Sequence, residues 1–166
     1  DTWVTKAASA LPNGPGWHIP EAMTVADIEK LKADFVSAAQ RSDRLGFDLL
    51  ELHGAHGYLL HTFLSPISNK RTDHYGGSRE NRMRLPLEIL ADVRKVWPES
   101  KPLGIRISAI DWMDGGLTMD DSVAFARELQ KARCDFIDVS SGGIDPAAKV
   151  VVGPGYQVPF AEQIKR

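Results

Sequence analysis

Three strand-length segments of this chain each place an ionisable residue between apolar neighbours, and amphipathic segments separate them. The three are Leu49-Leu50-Glu51-Leu52-His53, Gly104-Ile105-Arg106-Ile107-Ser108 and Phe136-Ile137-Asp138-Val139-Ser140. Side chains on a strand alternate between its two faces. Glu51 with His53, Gly104 with Arg106 and Ser108, and Asp138 with Ser140 therefore share one face of their strands, and the aliphatic residues hold the other. Elsewhere the apolar spacing changes to three and four residues. Thr24, with Asp27 three positions on, opens a helix in the manner of a capping box, and its stripe of Val25, Ile28, Leu31, Phe35, Val36 and Ala39 runs to near Gly46. Ser78, with Asn81 at the box position, opens a second helix that ends about Trp97, before Pro98. Thr118 or the neighbouring Asp residues open a third, to about Ala132, and Phe160 to Arg166 reads as the first turns of a fourth. Helices alternating with short strands imply parallel βα units.

Two architectures accept such units, an open doubly wound sheet and a (β/α)8 barrel. The open sheet is covered on both faces and calls for unbroken apolar strands. Strands with one polar and one apolar face suit a barrel whose lumen serves a cofactor. A complete barrel takes about 250 residues, whereas this chain has 166. The expectation is an α/β fold, a partial TIM (β/α)8 barrel of about three consecutive βα units out of eight. Residues 1–166 then form a fragment of one domain whose N-terminal and C-terminal strands are missing, in keeping with a start at Asp1 and an end at Arg166 within a helix. Residues 1–20, with Pro12, Asn13-Gly14-Pro15-Gly16 and Pro20, read as irregular surface chain. Residues 54–77 read as a long loop around the apolar stretch Tyr58 to Leu64.

Composition narrows the partners. With 20 basic and 22 acidic residues the formal charge is −2, so nothing favours nucleic acid or a membrane surface. No apolar run approaches the roughly 20 residues of a membrane span. The single cysteine, Cys134, excludes an internal disulfide framework and points to a reducing, cytoplasmic setting. Its place between a helix end and a strand reads as buried and inert.

One dense run remains: His53-Gly54-Ala55-His56-Gly57-Tyr58-Leu59-Leu60, Phe63-Leu64-Ser65-Pro66, Asn69-Lys70-Arg71-Thr72-Asp73, Tyr75-Gly76-Gly77-Ser78 and Glu80-Asn81-Arg82. It resembles the signature of the Old Yellow Enzyme family, NADH:flavin oxidoreductases that act as ene-reductases. Arg106-Ile107-Ser108 and Asp138-Val139-Ser140-Ser141-Gly142 fit the same family in order and spacing. The His-x-x-His pair resembles the bacterial and fungal branch. The resemblance implies an FMN-binding TIM-barrel domain that takes hydride from NADPH or NADH and passes it to a small-molecule enone or enal. His53 and His56 would hydrogen-bond the substrate carbonyl oxygen, Tyr58 would supply a proton to the α-carbon, and Arg106 would lie at the flavin ring edge where the reduced ring is negative. Association into a homo-oligomer stays open, and a catalytically inactive fragment of such an enzyme is the alternative.

Elementary chemistry agrees with these roles. Hydride addition builds negative charge on the carbonyl oxygen, which two converging imidazole donors would stabilise. A phenol with an ordinary pKa of about 10 stays protonated at neutral pH and can act as an acid. An arginine between isoleucines needs an anionic partner, either the flavin or an internal Glu51–Arg106–Asp138 network, since Glu51 and Asp138 sit at matching heights on the neighbouring strands. Simpler readings stand beside these. The histidines could be packed or surface residues, Tyr58 a wall aromatic, and His53, His56, His61, His74 and Asp111 could assemble a zinc sphere, although no HExxH or cysteine pair accompanies them. The Asn69–Arg82 run reads as a solvated loop and helix start. Gly142-Gly143 and Gly153-Pro154-Gly155 lack phosphate-loop spacing and read as loop turns.

Overall fold

The computed structural model describes residues 3–166. The elements in order are β1 (Lys6–Ala7), β2 (Glu21–Ala22), α1 (Val25–Arg44), β3 (Leu50–Gly54), α2 (Leu59–Leu64), α3 (Arg79–Val96), β4 (Leu103–Ser108), α4 (Met119–Lys131), β5 (Phe136–Ser140) and α5 (Val158–Lys165). Strands β3, β4 and β5 form one parallel sheet in that order, each joined to the next by a crossover that contains a helix. This is the partial (β/α) barrel expected from the alternating strands. Three of the elements differ from the expectation. Chain 1–20 is not wholly irregular, because β1 pairs in parallel with β2. Within the long loop, the apolar stretch folds as the six-residue helix α2.

Local chemistry sets the helix boundaries. At α1 the Thr24 hydroxyl accepts from the Asp27 N–H at 3.1 Å and the Asp27 carboxylate accepts from the Thr24 N–H at 2.9 Å, so two amides at the helix start are satisfied. Thr118 and Asp121 repeat the arrangement at α4. Ser78 caps α3 at the Asn81 N–H, but the Asn81 side chain turns away to donate to the Gly76 carbonyl, so that box is only half made. Helix α3 also runs through Pro86, which removes one backbone bond at a usual cost of about 3 kcal/mol. Leu85, Ile89, Leu90 and Val93 of the same helix are fully enclosed. Burial of such side chains is worth about 1.5–3 kcal/mol each, enough to keep the helix continuous.

Those residues join Leu52, Ile105 and Ile107 of the sheet and Phe125 and Leu129 of α4 in a single apolar cluster. The aliphatic faces of β3 and β4 thus meet the helices, as the alternation requires, and Ile137 of β5 packs against the same cluster. Residues 69–82 form the loop and helix start anticipated for them, but the loop is not wholly solvated. Asn69 and Tyr75 are buried, Asn69 donates to the Phe63 and Tyr75 carbonyls, and the Arg71 guanidinium reaches the Ala8 and Met23 carbonyls. That run clamps the N-terminal chain onto α2. Cys134 is half-buried, and burial pushes its thiol up to about 11.

Candidate active site

The opposite face of the sheet carries the polar residues. Register places His53 beside Arg106 and Arg106 beside Asp138, a row of three across β3, β4 and β5, with Ser108 beside Ser140 above it. All three strands run parallel, so their C-terminal ends and the following loops gather at one mouth, where barrel enzymes keep their chemistry.

His53 is the next-to-last residue of β3. His56 follows in a turn, not on a helix, and takes the left-handed conformation at φ 58, with Gly57 at φ 75. A non-glycine residue holds that backbone only where its surroundings impose it. The turn folds the two imidazoles into an edge-on pair with centroids 5.3 Å apart and brings the Tyr58 ring to 5.2 Å from His53. Three of the four site residues read from the sequence are thereby clustered, and Arg106 lies next to His53 on the sheet.

Serines lock the turn. The His56 N–H donates to Ser108 Oγ at 3.1 Å, and Ser108 Oγ donates to the Gly142 carbonyl at 2.7 Å. His56 Nε2 bonds Ser140 Oγ at 2.6 Å, and Gln157 Nε2 donates to the same hydroxyl at 3.2 Å. Gly142 and Gly143, at φ 72 and 91, are turns as expected but also close the site. A Cβ on Gly143 would lie 2.5 Å from His56 Cα, so only glycine lets this loop pass behind the histidine. Ser108, Ser140 and Gln157 were given no role in the site from the sequence, and Gly143 was read there only as a loop turn. The polar-face alternation was the available signal for the two serines, and nothing local marked the others.

Burial, then the Arg106 guanidinium and the neighbouring His53 and His61 rings, hold His56 below the usual histidine range, with Asp138 opposing. His56 is therefore uncharged at neutral pH. Among the described residues the His53 imidazole and the Tyr58 hydroxyl make no hydrogen bond to protein, and Tyr58 is 64% exposed. Its ring also walls a groove of about 920 Å³ lined by Leu11, Asn13, Trp17 and Ile144, which His53, His56 and Arg106 do not line.

The Glu51–Arg106–Asp138 network forms only in part. Arg106 Nε stands 3.2 Å from Asp138 Oδ2, both side chains being about two-fifths exposed. Glu51 pairs in register with Gly104, one step of the alternation below Arg106, and takes no ion pair among the described residues. The Nε–Asp138 approach is poorly aligned, and that nitrogen is buried without a hydrogen-bond partner. The terminal guanidinium nitrogens take no hydrogen bond among the described residues and belong to a side chain 40% exposed. A cation free at that end of the sheet face fits an anionic ring edge, so this chain's residues suit the flavin implied by the resemblance. No group of three or more His, Cys, Asp or Glu side chains is arranged for a metal ion among the described residues. No helix among them is long and apolar enough to cross a membrane.

The described residues thus form a segment of a (β/α) barrel with imidazole and phenol groups clustered at its C-terminal mouth. Residues 6–164 match the profile of the NADH:flavin oxidoreductase / NADH oxidase family. An NADPH dehydrogenase of Geobacillus sp. (strain WCH70) is 51% identical over 160 residues, and an NADH:flavin oxidoreductase of Gibberella zeae is 46% identical over 173. Each alignment covers 96% of this chain, which spans 46% and 42% of the two relatives. Among solved structures, a 2-naphthoyl-CoA reductase complex with 2-naphthoyl-CoA superposes with TM-score 0.87 at 30% identity over 97% of this chain and 25% of that one. Morphinone reductase gives 0.79 at 28% identity over 98% of this chain and 47% of its own. The chain belongs to the NADH:flavin oxidoreductase / NADH oxidase family. The Old Yellow Enzyme likeness drawn from the His53–Arg82 run is thus borne out, and the family's cofactors are FMN with NADPH or NADH.

Proposed function

We propose that this chain carries the carbonyl-binding side of an FMN-dependent NAD(P)H oxidoreductase that reduces the C=C bond of α,β-unsaturated carbonyl compounds. The supporting observation is the cluster of His53, His56 and Tyr58, whose rings lie 5.3 and 5.2 Å apart with polar atoms left over for a ligand. FMN, when bound and reduced by NADPH or NADH, supplies hydride to the substrate β-carbon. The chain's own residues then have three tasks. His53 and His56, whose Nδ1 is clear of the Ser140 bond, donate to the carbonyl oxygen and stabilise the charge that grows there. The Tyr58 hydroxyl delivers a proton to the α-carbon. Arg106 would hold the flavin ring edge with its terminal guanidinium nitrogens, which take no hydrogen bond among the described residues.

Residues 1–166 are read as part of a single FMN-binding barrel domain, acting on a small enone or enal in the cytoplasm, alone or as a homo-oligomer. The test is turnover of 2-cyclohexenone by the FMN-loaded protein. His53→Ala is expected to lower kcat by about 100-fold, the usual loss for one oxyanion donor. Tyr58→Phe should slow reoxidation by the enone and leave flavin reduction by NADPH intact. Full enone turnover in both variants would overturn the assignment.

A further inference from the structure

The pair His61 and Asp111 lies outside the residues assigned above, yet it is bonded to the turn that carries them. Both side chains are fully enclosed, His61 as the third residue of α2 and Asp111 in the loop after β4. The Gly57 backbone N–H donates to His61 Nδ1 at 2.9 Å. A backbone N–H can only donate, so Nδ1 is the accepting nitrogen and the ring hydrogen sits on Nε2. Nε2 in turn donates to Asp111 Oδ1 at 3.0 Å. The other carboxylate oxygen is taken by the Ser65 hydroxyl at 2.6 Å and the Leu117 N–H at 2.7 Å. Every link has a fixed direction. Rotating either side chain would strand a buried donor or acceptor, which an enclosed site resists.

Gly57 is the hinge of the site, because it joins His56 to Tyr58. Its outer face is closed by the loop after β5, since a Cβ there would lie 2.3 Å from the Gly143 carbonyl oxygen. Its amide is held from the other side by His61. Two consecutive left-handed residues, His56 and Gly57, are therefore clamped between a carbonyl wall and an imidazole acceptor.

We propose that His61, oriented by Asp111, is a positioning residue that holds the His56–Gly57–Tyr58 turn in its reactive shape. This rests on the reading in which His56 and Tyr58 act on the substrate. The bonds also give His61 and Asp111 a task quite different from the zinc sphere into which the sequence could have assembled them.

The experiment compares His61→Leu and His61→Asn in the FMN-loaded protein, with Tyr58→Phe as the reference. Asparagine offers an acceptor for Gly57 and a donor for Asp111; leucine offers neither. A displacement on the order of 1 Å at reacting groups costs up to about 100-fold. His61→Leu is accordingly expected to lower kcat for 2-cyclohexenone by about 30-fold, with flavin reduction by NADPH unchanged, and His61→Asn to return to within about threefold of the parent. Amide exchange at Gly57 should be slow in the parent and in His61→Asn and at least about tenfold faster in His61→Leu. Nitrogen-15 shifts of the parent protein, which need no variant to fold, should show a hydrogen-bearing Nε2 and an accepting Nδ1 on His61.

A His61→Leu protein that keeps both its Gly57 protection and its turnover while Tyr58→Phe loses turnover would overturn the proposal. So would equal losses in the leucine and asparagine variants, or a hydrogen found on Nδ1. Should Tyr58→Phe itself turn over normally, the functional reading fails instead, and the Gly57 exchange and His61 shifts still decide whether the pair holds the turn.

Discussion

Replacing Gly143 by alanine isolates the contact that shapes the candidate site. The added Cβ would stand 2.5 Å from His56 Cα, 2.8 Å from its carbonyl carbon and 3.1 Å from its Cβ, whereas ordinary contact begins at 3.4 Å. Two of the three atoms are backbone, so no flexible side chain can swing aside and the two loops must separate by about 1 Å, a displacement that costs on the order of 100-fold in rate. That loss corresponds to about 2.7 kcal/mol of transition-state stabilisation. Gly143 also has φ 91, a backbone that side-chain-bearing residues resist. Strain of about 1–2 kcal/mol should then lower Tm by roughly 3–8 °C in a chain of this size. The assays are a calorimetric scan and steady-state reduction of 2-cyclohexenone at saturating NADPH, with flavin reduction followed separately. Expected are the lower Tm and a kcat down by about 100-fold, with the NADPH half-reaction little changed. An alanine variant that melts and turns over like the parent would refute the claim that this close approach sets the position of His56.

Further outcomes follow from other parts of the structure. Thr118→Ala removes the hydroxyl that bonds both the Asp121 N–H and its carboxylate; a loss of about 1 kcal/mol, or roughly 2–4 °C in Tm, is expected, and an unshifted Tm would contradict the capping account. Cys134, with its thiol pushed up to about 11 by burial, should react with iodoacetamide at pH 8 roughly 100-fold more slowly than free cysteine, so comparable rates would contradict it. Arg106→Leu should abolish FMN retention; normal flavin content would show that the spare guanidinium donor has another use. The same substitution removes a cation that holds His56 down, so the His56 NMR titration should move up toward the ordinary histidine value. Because its folded-state value lies below the unfolded one, His56 contributes stability that is full above the ordinary histidine range and is lost as pH falls through it.

The elements whose physics is local were legible in the sequence. Thr24 with Asp27 and Thr118 with Asp121 announce their helices, and the period-two pattern around Glu51, Arg106 and Asp138 gives both the strands and the sidedness of the sheet. Elements defined by distant partners were not. Strands β1 and β2 are two residues each and exist only through the pairing of residues fifteen positions apart across turn-rich chain. Helix α2 is too short to show a stripe and sits among Ser and Pro residues. The register error at Glu51 has the same origin, because alternation fixes which face a residue takes but not which neighbour it meets. At the site, His53, His56 and Tyr58 stood out through the resemblance of the whole His53–Arg82 run to the Old Yellow Enzyme family, because their spacing alone is a weak signal. Of the groups that hold them, the alternation placed Ser108 and Ser140 on the polar face without saying what they bond, whereas Gly143, 87 positions from His56, and the His61–Asp111 pair, linked across 50 positions, lie where no pattern reaches.

The most direct test of the functional reading is an anaerobic reoxidation experiment. The FMN-loaded protein is reduced with a stoichiometric amount of NADPH, mixed with 2-cyclohexenone, and followed by the flavin's visible absorbance while the product is identified by gas chromatography. The account expects the absorbance to return as cyclohexanone forms in equal amount, and expects that return to be slowed in Tyr58→Phe. Flavin that binds and is reduced by NADPH but stays reduced in the presence of the enone would contradict it.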